Sequence, residues 1–124
     1  MIRYEIYKLI HYFGIIVVVI AIAITCFHVL SGGTRADNPA RKSIGIWHGL
    51  AMVFILVGGF GMLARLGIVQ SGLPGWVIAK LIVWLLLGMA IVLPYRKPAL
   101  ARPVLWALPF LAVLAAFLAL YKPF

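Results

Sequence analysis

Residues 8–30 read KLIHYFGIIVVVIAIAITCFHVL, and this stretch decides the class of fold. It is apolar over the length that a helix needs to cross a ~30 Å hydrocarbon core. Lys8 is its one charged residue, yet a histidine stands near each end, His11 and His28. The run predicts a membrane-spanning helix over about 6–30. It is too long for the apolar region of a secretory leader and ends without a small-residue cleavage site, so it is expected to stay as an anchor.

Three more apolar runs follow, at about 44–66, 75–94 and 101–121. Backbone groups in lipid must pair within their own segment, which makes each run a helix. The breaks between them, SGGTRADNPARKS (31–43), QSGLPG (70–75) and PYRKPALARP (94–103), are short, so successive helices run antiparallel. The expected fold is all-α: a single-domain, integral membrane, up-down four-helix bundle. Pro109 falls inside the fourth run and is expected to kink it.

Composition agrees. Of 124 residues 66% are apolar and 10% charged, against ~25% charged in soluble domains. Mean hydropathy is +1.18. A soluble domain this small leaves too much surface exposed to hide so many apolar side chains. The net charge is +9, eleven Lys and Arg against Glu5 and Asp37. The cations flank the apolar runs, as snorkelling side chains do, and form no solvated basic face for nucleic acid. The lipid bilayer is therefore the expected surrounding partner, with a homo-oligomer or a larger membrane complex as the protein one. The lone Cys26 cannot close an internal disulfide.

One side of the membrane receives Arg35, Arg41, Lys42, Arg96, Lys97 and Arg102; the other receives Arg3, Lys8, Arg65, Lys80 and Lys122. Six against five places both termini outside the cytoplasm of a bacterial inner membrane, by a narrow margin.

The histidines fall on a seam. Tyr4, His11, Val18 and Thr25, with Tyr7, Gly14, Ala21 and His28, follow a 3-4 spacing that holds nearly every polar or small residue of the first helix. Ionisable groups in membrane helices face the interior, so both imidazoles are expected there. In the second helix Gly45, His48, Met52, Ile55, Gly59 and Met62 repeat the pattern, with Gly58 and Gly61 beside them for close approach. The third helix carries Trp76, Lys80, Trp84 and Gly88 at i,i+4 steps, and the fourth has Trp106 as an interfacial anchor.

His11 and His28 are ~25 Å apart along a helix, too far to share a small ligand. His28 and His48 are equally spaced from Asn38 and are expected at one depth, beneath Arg35, Arg41 and Lys42. Two imidazoles under cations suggest haem b, with histidines on iron and basic residues on the propionates. The candidate iron ligands are His48, His28 and His11, with Met52 as an alternative; Lys80 and Arg65 are the candidate anion contacts. Neighbouring helix axes ~8–10 Å apart are tight for a haem between them. The plainer alternatives are histidines bonded to backbone, a snorkelling Lys80, Arg65 as an anchor, and Met52 and Met62 as packing. No paired carboxylates or Cys-x-x-Cys are present.

KLIHYFG, the opening IWHGLAMVFILVGG of the second helix and GWVIAKLIVWLLLG resemble the SirB-like small membrane proteins. Those carry a histidine early in helix 1, another opening helix 2, and a W-x-x-x-K-L run opening helix 3, which fall here on His11, His48, and Trp76 with Lys80 and Leu81. YKPF and the Trp-Lys run are also similar to HemJ-type protoporphyrinogen oxidases, four-helix haem-associated membrane proteins. Here Gly49, Leu50 and Ala51 follow His48, where SirB-like proteins have an Asp-Thr pair, and the 31–43 link is shorter than in HemJ-type proteins. The histidines and cations taken with the resemblance lead to the expectation of a b-type haem-binding or haem-handling protein that passes electrons to or from quinone or a larger respiratory partner. If the chain is an enzyme, the resemblance implies a membrane oxidoreductase. The alternative is a non-catalytic structural or assembly subunit of a membrane complex.

Overall fold

A computed structural model of the chain describes residues 3–68 and 72–124, so Gln70 and Ser71 of the second link lie outside the described residues. The described residues form helices joined by turns and short links, without a strand. Helix α1 is Tyr4–Leu30, α2 is Arg41–Arg65 and α3 is Gly75–Met89. A single turn, α4 (Leu93–Arg96), and a 3₁₀ turn, Pro98–Leu100, lead into α5, Ala101–Tyr121. Helices α1, α2 and Pro98–Tyr121, which is α5 with the turn before it, are long and apolar enough to cross a membrane; α3 is an apolar helix of 15 residues.

The expected third helix, 75–94, is the one whose length changes. It stops at Met89, and the chain turns through 90–92 before α4. Pro94 supplies the reason: it has no N–H to bond the Ala90 carbonyl, and its ring would clash with that carbonyl in a continuous helix. Val92 instead bonds back to Met89 in a tighter turn, 3.1 Å. Helix α2 starts three residues earlier than expected. Asn38 opens it: its side-chain oxygen accepts the Ala40 N–H at 3.0 Å and its carbonyl accepts Arg41 N–H at 3.2 Å. Helix α5 runs through Pro109 without a break.

Helices α1 and α2 form an antiparallel hairpin with close backbone contact. A Cβ on Gly58 would stand 2.6 Å from the His11 nitrogen and 2.7 Å from the Tyr7 carbonyl; one on Gly14 would stand 2.7 Å from the Ala51 carbonyl. Only glycine allows this approach. Gly61 lies under the Tyr7 ring. Val18, Ile22 and Cys26 of α1 pack with Ala51, Met52 and Ile55 of α2, and with Ala90 and Leu108. A smaller cluster joins Leu63, Trp76, Val77 and Leu118. Outward faces are apolar as well: Phe110 and Leu120 of α5 are each 76% exposed. Such a surface is at home against acyl chains and not in water.

Candidate functional site

The interior polar groups join helices. His11 and His48 are 7% and 5% exposed. His11 Nδ1 lies 2.8 Å from the Ile55 carbonyl of α2, and His48 Nε2 lies 3.1 Å from the Leu87 carbonyl of α3. A carbonyl only accepts, so each of these ring nitrogens carries the proton. Trp84 Nε1–H donates to the Met52 carbonyl at 3.0 Å, a second tie between α3 and α2. The Thr25 hydroxyl bonds back to Ala21 within α1.

His28 is used differently. It is half-buried at the end of α1, and its Nε2 donates to the Thr34 carbonyl at 2.9 Å and to Asp37 Oδ1 at 2.7 Å. The Thr34 N–H donates to the same carboxylate oxygen at 2.8 Å. That backbone donor first, and His28 second, hold the Asp37 carboxyl below its usual range. Tyr95 meets the edge of the His28 ring, and its hydroxyl accepts from Asn38 Nδ2 at 2.8 Å. The group closes the loop over the end of the bundle.

The structure therefore separates His28 from His48. His11 lies against Ile55 and Gly58. His28, seventeen residues further along the antiparallel hairpin, reaches the level of residues 38–41. His48 sits seven to ten residues deeper, ~10–15 Å at ~1.5 Å per residue. The equal-depth expectation took Asn38 as the point of symmetry. The glycine contacts set the true register, and they shift it toward α1.

His11 and Lys80 do meet at one opening. A cleft of 150 Å³ between α1, α2, α3 and the end of α5 is lined by His11, Lys80, Trp76, Trp84, Tyr4 and Lys122, among apolar neighbours such as Ile55 and Leu63. The 3-4 seam of α1 and the i,i+4 stack of α3 bring these residues to a shared wall. Among the described residues no fully buried side-chain nitrogen or oxygen lacks a partner. His11 Nε2 makes no bond, so it keeps accessible surface, and with Nδ1 protonated it is the ring's acceptor. The remaining site candidates lie elsewhere. Met52 packs toward Gly88, Arg65 is exposed in the last turn of α2, and neither lines the cleft. No group of three or more His, Cys, Asp or Glu able to hold a metal occurs among the described residues.

Lys122 is the residue that sequence reasoning missed. It caps α5 in the left-handed conformation, φ 46° and ψ 59°, with its N–H on the Leu118 carbonyl. This turns its ammonium to 5.5 Å from the centre of the Trp76 ring, a cation–π distance. A Lys-Pro pair after an apolar helix was the available signal: proline cannot continue a helix, so the chain must turn there.

No family model matches the chain, and no curated protein or solved structure does either. The site stands on its own geometry.

Proposed function

We propose that this chain is a four-segment bundle of the bacterial inner membrane whose His11–Lys80 cleft binds the head of a quinone-type amphiphile, in electron exchange with a larger respiratory partner. One observation carries the reading: an imidazole with an open acceptor nitrogen, a lysine and two indoles line a single apolar cleft. Its 150 Å³ is the size of cavity that accepts one benzene ring. It is smaller than the ~300 Å³ at which sites for whole drug-sized ligands begin. The ring enters and the tail stays among lipids. Lys80 donates to a ring oxygen, His11 Nε2 takes or returns a hydroxyl proton, and Trp76 and Trp84 pack against the ring faces. Lys122 adds positive charge at the rim. The quinone itself supplies the electron chemistry.

Haem b is the larger ligand with related demands, and the residues fit it less well. His11 Nε2 is the one histidine nitrogen that would meet iron in this cleft, with Lys80 and Lys122 for propionates. His28 and His48 do not join it as a second ligand, since each lies outside the cleft and already donates its bonded nitrogen to oxygen. A porphyrin also exceeds the volume. A structural or assembly subunit is the second reading. The bonds His11–Ile55, His48–Leu87 and Trp84–Met52 favour it, because they use intramembrane polar groups to hold helices together.

Titration of the detergent-purified protein with a short-tailed benzoquinone, read by tryptophan fluorescence, separates the three. Saturable quenching that weakens at least about tenfold in Lys80→Leu supports the quinone site, since one charged hydrogen bond has that worth. A Soret band lost in His11→Phe moves the assignment to haem. A colourless, folded protein with no saturable quenching leaves the structural subunit.

A further inference from the structure

At the other end of the bundle a groove of 450 Å³ runs between α1 and α5, lined by Phe27, Leu30, Arg102, Leu105, Trp106 and Pro109. Helix α1 ends at Leu30 and α5 begins at Ala101, so Arg102 stands at the mouth of the groove. Trp106 lies one turn deeper and Pro109 about two. The order from rim to floor is cation, indole, then hydrocarbon, which is the sequence of environments met on entering a leaflet.

The charge at the mouth is uncompensated. Arg102 is exposed and makes no hydrogen bond or ion pair with any described residue. The chain has two acidic side chains. Glu5 is in the first turn of α1, at the far end, and Asp37 is held by His28 and the Thr34 amide. Arg96 and Lys97, exposed in the turn that leads to α5, add to the positive field. A guanidinium presents a planar fork that matches phosphate oxygens two at a time. Below that fork the lining side chains are apolar except for the indole N–H of Trp106.

We propose that this groove is a binding site for one anionic phospholipid, with an acyl chain lying along Phe27, Leu105 and Pro109 and the phosphate on the Arg102 guanidinium. Trp106 sits beside the glycerol backbone, where its ring is half in hydrocarbon and half in the polar layer. The site shares no lining residue with the His11–Lys80 cleft, so the two assignments stand or fall separately.

The full chain in nanodiscs of phosphatidylcholine with a minor share of phosphatidylglycerol tests this, by native mass spectrometry of the lipid retained on the released protein. Wild type is expected to keep one phosphatidylglycerol in preference to phosphatidylcholine. Arg102→Gln lowers that preference about fivefold, the effect of one cation near a headgroup, while Arg96→Gln changes it little. Leu105→Trp fills the groove and lowers retention of both lipids. Helical circular dichroism of Arg102→Gln confirms that the exposed substitution leaves the fold intact. Equal retention of the two lipids by wild type overturns the proposal. So does an unchanged preference in Arg102→Gln, an equal loss in Arg96→Gln, or a crosslink between Trp106→Cys and a second copy of the chain.

Discussion

Asp37 shows how one side chain couples the loop to the solvent. Its carboxylate accepts from the Thr34 amide and from His28, and these bonds hold its carboxyl below the usual 3.8. A carboxyl depressed in the folded state stabilises that state at every pH above its ordinary value. The contribution fades as pH falls below 3.8 and is gone once the folded-state group protonates. Thermal scans from pH 5 to pH 2.5 are therefore expected to show a falling midpoint in wild type. In Asp37→Asn that acid-dependent component is missing; an identical acid profile in the two would refute the assignment. His48 acts by packing and one interhelical bond, to Leu87. His48→Phe keeps the bulk and removes the bond, with an expected loss of ~0.6 kcal/mol and at most ~1.7 kcal/mol, the range for hydrogen bonds between membrane helices. Unfolding by detergent titration, followed by circular dichroism, measures it. That His11 and His48 turn inward was legible, because an imidazole in lipid is costly and the 3-4 spacing names the inner face. Their acceptors were not legible. Backbone carbonyls carry no residue-type signal, and the register that selects Ile55 or Leu87 is set between helices.

The elements separate glycines that look alike in sequence. In α2 a methyl group on Gly58 meets the backbone of α1, whereas one on Gly49 has nothing within 4 Å. Gly58→Ala must push the hairpin apart and is expected to cost ~1–3 kcal/mol, as over-packing does. Gly49→Ala removes backbone freedom from the unfolded chain without a clash, and is expected to gain ~0.5–1 kcal/mol. Opposite shifts in the unfolding midpoint of the two variants would locate the hairpin contact; equal shifts would remove it. The paired readings of α2 also mark where pattern-reading drifts. A strict 3-4 seam pointed to Gly45, Gly59 and Met62, yet the buried positions are Ala51, Gly58 and Leu63 beside His48, Met52 and Ile55. A helix of 3.6 residues per turn slides off a 3.5-residue pattern as it lengthens. The central positions His48, Met52 and Ile55 hold, whereas Gly45 is exposed and Gly58 and Leu63 are buried in place of Gly59 and Met62. Helix α3 was over-extended because its hydropathy continues through 90–93 while Pro94 already forbids the helix.

Two ends with different chemistry make up the whole molecule. The end carrying both termini holds Lys80, Lys122 and the His11 cleft. The loop end holds Arg35, Arg41, Lys42, Arg96, Lys97 and the Arg102 groove. Apolar composition alone announced the helices, and the placement of cations announced the ends. The cleft needed coordinates, because it forms from four segments remote in the chain. The six-to-five bias of cations predicts that the loop end faces the cytoplasm. Single-cysteine labelling in spheroplasts checks that prediction on exposed positions. Leu73→Cys, beside the start of α3, is expected to react with a membrane-impermeant maleimide in intact spheroplasts. Ala36→Cys, in the loop after α1, is expected to react only after permeabilisation. Cys26, with no exposed surface, serves as the unreactive internal standard. The reverse pattern would put the cleft on the cytoplasmic side, where a quinol bound at His11 would release its proton inward. Labelling of both positions from outside would mean that α2, the helix between them, does not cross the bilayer, and the lipid-facing assignment of its apolar surface would fall with it.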